Sequence, residues 1–182
     1  MVAECFDANV LNRQRLIWVV AIRRHLERWE PLVAAYWRDI HAGRNADRPS
    51  VWAAATEHHF VLVATHHLLV ALDLPPASTV AVDPRLRTAL TEGRHLHEHW
   101  PQHMPVFNVN PPRSPPVRTG KTFAARNPGR SPYWWLGFDH KDGAKLLPQA
   151  SAPELHQLLD AVEAEVIASD PSLADYFPPR AP

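Results

Sequence analysis

The sequence contains only one cysteine, Cys5, among 182 residues. A single thiol cannot form an internal disulfide and cannot supply a zinc site built on cysteine ligands. Long apolar runs are also scarce. Residues 16–22 form the longest early run, which is far too short to span a bilayer and is followed by Arg23 and Arg24. No small-residue cleavage site follows this run, so we expect no signal peptide, no membrane span and a cytoplasmic location.

An excess of charge of either sign is absent as well. Nineteen basic residues balance nineteen acidic ones, so net charge does not favour a polyanionic partner. Any nucleic-acid site must therefore come from local clustering of cations. The sequence has no internal repeat and no low-complexity tract, and its hydrophobic content of 46% is enough for a packed core. We expect a single domain over residues 1–182.

Apolar periodicity predicts helices at the beginning of the chain. Residues 10–30 have helical spacing, set by Leu16, Val19, Val20, Arg23 and Leu26, with polar faces carrying Arg13, Arg15, Arg24 and Glu27. Pro31 lacks a backbone donor and predicts a break or kink near Glu30. Ser50 is the predicted N-cap of a helix over residues 51–74, with one apolar stripe formed by Phe60, Val63, His67, Val70 and Leu74.

Local capping signals predict two further helices. Asp83 followed by Pro84 predicts the start of a third helix that ends near Trp100. Ser151 with Glu154 forms a capping box that opens a fourth helix, and residues 169–182 follow as a short tail. Between these two helices, residues 133–147 read as a β-hairpin with Asp-Gly in its turn. The fold prediction is all-α: a four-helix bundle with a small β-hairpin between the third and fourth main helices.

Residues 105–132 form a Pro-rich basic loop. The loop contains seven prolines and no acidic residue. Its cations are Arg113, Arg118, Lys121, Arg126 and Arg130. With the aromatic residues 133–135 that follow, they combine phosphate attraction with stacking surfaces, which predicts RNA binding. The alternatives are that the cations only aid solubility and that the aromatic rings dock the hairpin on the bundle.

The densest cluster of titratable residues lies at the end of the predicted third helix. Residues 92–103 contain four histidines, one arginine and two glutamates. Within this stretch Arg94 is separated from His99 by four residues, and His95 directly follows the arginine. An imidazole can take a proton near neutral pH, and a guanidinium supplies a permanent cation beside a phosphate.

This motif and the order of the helices resemble the HEPN-domain family. That family is an all-α bundle, and many of its members are RNA-cleaving toxins or defence nucleases. Its signature is an arginine, four to six residues, then a histidine, near the end of the third main helix. The resemblance implies a metal-independent endoribonuclease, a hydrolase of a toxin–antitoxin or defence system without a cofactor. The implied catalytic residues are Arg94, His99 and His95, and the implied partners are RNA, a second copy in a homodimer and an antitoxin protein.

The spacing of the motif adds a geometric constraint. At about 100° per residue, positions five apart differ by roughly 140° around a helix, so Arg94 and His99 converge poorly on a regular helix. Pro101 could distort the last turn. Alternatively, two copies could place their motifs together across a two-fold axis, which is the composite site that the resemblance implies.

Other interpretations of the same residues remain open. His99 could cap a helix C-terminus, and Arg94 could pair with Glu98, so that both are purely structural. A HEPN-like module could bind RNA or a partner without cutting. The histidines at positions 58, 59, 66 and 67 could also meet His95 or His99 in a mononuclear metal site resembling DinB-type bundles. The only Glu-x-x-His element there, Glu92 to His95, lacks the second copy of a di-iron bundle, so we expect no metal.

Overall fold

A computed structural model describes residues 7–43, 48–98, 138–139, 143–147 and 150–176. For residues 40, 41, 48, 51, 95–98, 138–139 and 143–147, the description covers the backbone only. The main elements are α1 (Ala8–His41), α2 (Arg48–Asp73), α3 (Pro84–Glu98) and α4 (Ala152–Ser169). The short strands β1 (Phe138–Asp139), β2 (Gly143–Leu147) and β3 (Ala150–Ser151) precede α4, and a 3₁₀ helix (Pro171–Tyr176) follows it. The fold is all-α, as predicted.

The two long helices α1 and α2 pack against each other in antiparallel fashion. Arg15 near the start of α1 contacts the end of α2 at Ala71. Further along, the ring of Trp18 stacks on that of His67 with centroids 4.6 Å apart, and the ring of Trp29 stacks on that of His58 at 5.7 Å. Trp29 and His58 are both fully buried. These pairs fix the register of the two helices over several turns.

The remaining helices close the core. Helix α4 packs on α1, and α3 packs on α2. One continuous cluster of buried apolar side chains includes residues from all four helices, among them Leu26, Leu62, Leu90 and Leu159. Leu173 of the 3₁₀ helix also joins this cluster. The predicted tail, 169–182, therefore contributes a residue to the core soon after it begins.

Of the break or kink predicted near Glu30, the break is wrong. Helix α1 continues through Pro31, which lies inside it and is exposed to solvent. Proline removes one backbone hydrogen bond from a helix interior. The flanking residues Trp29 and Val33 are buried in the core, so their packing holds both halves in one helix. Residues 32–40 are consequently the last part of α1 and not a separate segment.

Two expectations for the second helix are also wrong. It begins at Arg48, so Ser50 lies within its first turn and is not the N-cap. The predicted apolar stripe is not the core-facing side, because Phe60 and Val70 are 46% and 44% exposed. The core-facing side instead carries Ala54, His58, Val61, Leu62, Thr65, Leu68, Leu69 and Leu72. Since α2 is apolar around most of its circumference, sequence alone does not distinguish its buried arc.

The local signals for later elements are confirmed. Ser151 caps α4, and its hydroxyl accepts a hydrogen bond from the Glu154 amide at 3.3 Å while the Glu154 carboxylate accepts one from the Ser151 amide at 2.8 Å. Strands β1 and β2 pair antiparallel, with Phe138 opposite Ala144. This pairing agrees with the predicted hairpin. Residues 133–137 and 140–142 of that hairpin lie outside the described residues.

Arg15 is a buried arginine that joins the start of α1 to the end of α2 and to the connection that follows. Its side chain was expected on a polar face, but Arg15 is only 5% exposed. Its Nε donates to the Ala71 carbonyl at 3.1 Å, and its Nη2 donates to the Pro76 carbonyl at 2.9 Å. Its Nη1 donates to the Asn12 side chain at 3.2 Å. The guanidinium thus satisfies a carbonyl at the α2 C-terminus, where a cation is also favoured by the helix dipole.

We predict that Arg15→Ala lowers the free energy of unfolding by about 3 kcal/mol or more, because several hydrogen bonds to a charged group are lost and the buried Ala71 carbonyl is left without its donor. Arg13→Ala is the matched control, since Arg13 lies two residues away on the same helix and is exposed. That control should change stability by less than about 0.5 kcal/mol. Chemical denaturation of both variants measures the difference, and equal stabilities would contradict the role assigned to Arg15.

Candidate functional site

The connection between α2 and α3 sets the position of the helix that carries the candidate motif. Residues 74–83 form this connection, and Glu165 of α4 holds its middle part. The Glu165 carboxylate accepts hydrogen bonds from the Ser78 hydroxyl, from the Thr79 amide at 2.6 Å and from the Thr79 hydroxyl at 2.7 Å. Burial by itself raises the pKa of Glu165, but these hydrogen bonds and the charge of Arg15 outweigh it, so the pKa is lowered.

Helix α3 begins where the local sequence predicts. The Asp83 carboxylate accepts hydrogen bonds from the backbone amides of Arg85 at 2.7 Å and Leu86 at 3.3 Å. Asp83 therefore satisfies two amide groups that a helix N-terminus leaves without intrahelical partners. Pro84 occupies the first helical position, where its missing amide proton costs nothing. A second contact fixes the same turn, because Arg87 forms a bidentate pair with Asp73 of α2 at 2.7 and 3.0 Å.

One side of α3 packs into the bundle. Leu86, Ala89, Leu90 and Gly93 are buried along this side. Helix α3 contacts α2 on this side and also contacts strands β2 and β3. Arg94 lies one turn beyond Leu90 and is half-buried. The arginine of the candidate motif therefore lies at the margin of the core on a well-packed helix. It is about one turn before Glu98, where the described part of α3 ends.

The other predicted site residues are only partly covered by the described chain. The backbone of His95 belongs to α3, while its side chain lies outside the description. His99 also lies outside it, and so do the loop cations Arg113, Arg118, Lys121, Arg126 and Arg130. Arg94 is thus the one predicted catalytic side chain that the structure places, and convergence of Arg94 with His99 stays a prediction.

The histidines of α2 occupy distinct environments. His58 is fully buried against Trp29, whereas His67 is exposed and stacks on Trp18. His59 and His66 are half-buried, with ring centroids 5.8 Å from Phe60 and 5.7 Å from His67, respectively. The rings are therefore spread around α2 and pack against aromatic neighbours. Within the described part of the chain, no group of three or more His, Cys, Asp or Glu side chains could hold a metal ion.

A histidine–carboxylate pair between α1 and α2 was not predicted. The His25 Nδ1 atom lies 2.6 Å from a carboxylate oxygen of Glu57, and the imidazole ring stacks on Phe60 at 5.1 Å. Arg28 approaches the other carboxylate oxygen at 3.9 Å. Such a pair can share a proton and orient an imidazole. The sequence contained a signal for this arrangement. Trp18 and His25 are seven residues apart on α1, and Phe60 and His67 are seven residues apart on α2. One antiparallel register therefore forms both the Trp18–His67 stack and the His25–Phe60 stack.

No protein-family model, curated protein or solved structure matches this chain. The resemblance to the HEPN-domain family therefore depends on the spacing of Arg94 and His99 and on the order of the helices. None of the helices in the described ranges is long and apolar enough to cross a membrane.

We predict that Glu165→Gln destabilises the protein at neutral pH, because the neutral amide accepts weaker hydrogen bonds from the connection that positions α3. The folded-state pKa of Glu165 is lowered. The stabilisation is therefore present above the ordinary carboxyl pKa and is lost as pH falls through the folded-state pKa. Unfolding free energies of wild type and variant should differ at pH 7 and converge in acid. Glu27→Gln, the same change at an exposed position of α1, is the control and should have little effect. A difference that stays constant with pH would contradict this role of the Glu165 carboxylate.

Proposed function

We propose that the protein is a metal-independent endoribonuclease of the HEPN type, acting in the cytoplasm in a toxin or defence role. The observation that carries the proposal is the position of Arg94. It lies near the end of the third main helix, half-buried one turn beyond Leu90, on a helix fixed by packing and by the Asp83 cap. A guanidinium held on a rigid element is suited to stabilising charge that develops on a phosphate.

The proposed reaction uses the ribose 2′-hydroxyl as the nucleophile. His99 takes the proton from this hydroxyl, and the 2′-oxygen forms a bond to phosphorus. The bond from phosphorus to the 5′-oxygen breaks, and that oxygen receives a proton from an acid, for which His95 is the candidate. Arg94 stabilises the negative charge on the phosphoryl oxygens during this exchange. Arg113, Arg118, Lys121, Arg126 and Arg130 are proposed to hold the RNA backbone.

Two arrangements bring the proposed catalytic residues together. Either the helix end near Pro101 departs from regular geometry, or Arg94 of one copy acts with His99 of another in a homodimer. We favour the second arrangement, because positions five apart on a helix diverge by roughly 140°. A toxin of this kind also requires a neutralising partner, so an antitoxin protein belongs to the same proposal.

The metal-bundle alternative receives no specific support from the described geometry. His58 is committed to the core against Trp29, and His67 is exposed against Trp18. A mononuclear site needs several ligands converging on one point. A module that binds RNA without cleaving it differs from the proposal in its catalytic residues only, so cleavage assays separate the two.

We predict that His99→Ala lowers the rate of RNA cleavage by ~10²–10⁴-fold with little change in RNA affinity, since general base catalysis is lost. Arg94→Ala should lower the rate and also weaken RNA binding, and Arg94→Lys should recover only part, because lysine lacks the planar fork. His156→Ala is the matched control: His156 is half-buried on α4 and pairs with Glu30 at 3.1 Å. It should cleave like wild type.

Thermal unfolding of each variant separates catalysis from folding. All four single variants should melt cooperatively near the wild-type temperature, and wild-type cleavage should persist in a chelator. A wild-type protein that cleaves no RNA would contradict the proposal, as would full activity in both His99→Ala and Arg94→Ala.

A mixing experiment tests the composite site. We predict that Arg94→Ala and His99→Ala chains, each inactive alone, regain part of the wild-type rate when unfolded together and refolded as a mixture. A mixed dimer would then contain one site with both intact residues. A mixture as inactive as its separate components would place both residues of a working site on one chain.

A further inference from the structure

An apolar surface lies on the side of α1 and α2 that is turned away from the core. Six large hydrophobic side chains are strongly exposed among the described residues, and five of them belong to these two helices. They are Val10, Ile17, Trp52, Phe60 and Val70, which are between 44% and 61% exposed. At about 100° per residue, Val10, Ile17, Trp52 and Val70 fall opposite the buried residues of their helices, and Phe60 lies at the edge of this arc, beside His25 of α1. We call this surface the outer face; an apolar patch of this kind marks an interaction site.

The two halves of the outer face differ in charge. The α1 half carries the exposed arginines Arg24 and Arg28, and Arg28 is 64% exposed. The α2 half has no lysine or arginine after Arg48, and it presents the exposed aromatic rings of Trp52 and Phe60. Cations on one half and exposed aromatic faces on the other are complementary through cation–π contact.

We propose that the outer face binds a second copy of this chain, with a two-fold axis parallel to α1 and α2. Such an axis places α1 of one copy against α2 of the other without shifting either helix along its length. Residues that lie side by side within one chain are therefore also opposite each other between the two copies. Within one chain Arg28 lies beside Glu57, and His25 lies beside Phe60. Arg24, which directly precedes His25, therefore faces the partner's Phe60. Ile17 meets the partner's Val70 by the same register.

The alternative two-fold axis, perpendicular to the helices, is disfavoured by charge. It would place α1 on α1 and α2 on α2 in opposite directions. The arginines would then face another cationic helix, and the aromatic rings of α2 would face a helix without cations. Like charges brought together at an interface cost free energy and act against that arrangement.

The size of the outer face fits a stable dimer. Helix α2 has 26 residues, which at 1.5 Å per residue gives a length of about 39 Å. Two adjacent helices present a width of roughly 20 Å, so the footprint is roughly 800 Å² per copy, the usual size for a specific interface. Helix α3 packs on α2 through its own contacts, so the contact proposed here is distinct from the one that would form the composite site. It does not rest on the proposed function.

The molar mass in solution tests the contact. We expect Ile17→Asp and Val70→Asp each to halve the mass measured by light scattering at about 10 µM, because each buries a carboxylate in an apolar interface. Tyr176→Asp is the control: Tyr176 is 67% exposed on the 3₁₀ helix, which packs against α4, and its variant should keep the wild-type mass. Circular dichroism should show wild-type helix content in all three. A wild-type mass near 20.6 kDa would overturn the proposal and indicate that another segment or another protein covers the face. Unchanged mass in both interface variants would also overturn it.

Disulfide trapping tests the direction of the axis. In a Cys5→Ser background, chains with Ile17→Cys mixed with chains carrying Val70→Cys should form a crosslinked heterodimer under mild oxidation. Each chain oxidised alone should crosslink far less. Efficient self-crosslinking of Ile17→Cys, or crosslinking no greater than that of Tyr176→Cys, would contradict the proposed axis. Crosslinking does not depend on RNA cleavage, so this experiment tests the dimer contact separately from the proposed function.

Discussion

The antiparallel contact between α1 and α2 is the constraint on which the rest of the structure depends. Stacked rings connect the two helices at three heights, from Trp18 with His67 through His25 with Phe60 to Trp29 with His58. Beyond the Trp18–His67 pair the guanidinium of Arg15 binds the last turn of α2 and the start of the next connection. The same register therefore fixes where α2 ends and where the chain turns towards α3.

A series of hydrogen bonds connects the buried guanidinium of Arg15 to the helix that carries the candidate site. Arg15 holds the Pro76 carbonyl, and Glu165 holds Ser78 and Thr79. Asp83 then caps α3, and the buried side of that helix brings Arg94 to the margin of the core. A rigid support of this kind matters for catalysis, because a charge-stabilising group is effective only when its position is fixed before the reaction.

Local chemistry made much of the fold predictable. The Asp83–Pro84 start of α3 and the Ser151–Glu154 capping box of α4 depend on neighbouring residues only, and both are confirmed. The errors concern α1 and α2, where tertiary packing decides. Burial of Trp29 and Val33 carries α1 through Pro31, and a helix as apolar as α2 gives no local indication of its core-facing arc. For the same reason the burial of Arg15 was not foreseen.

The candidate site could be predicted only as a motif. Spacing in the sequence placed Arg94 near the end of a helix, which the structure confirms, but convergence with His99 depends on tertiary or quaternary geometry. The most direct measurement is the chemistry of the RNA ends produced by the purified protein in the presence of a chelator. Attack by the 2′-hydroxyl predicts 2′,3′-cyclic phosphate ends and no cleavage of DNA. Products with 3′-hydroxyl ends, or cleavage of DNA as well as RNA, would contradict the account.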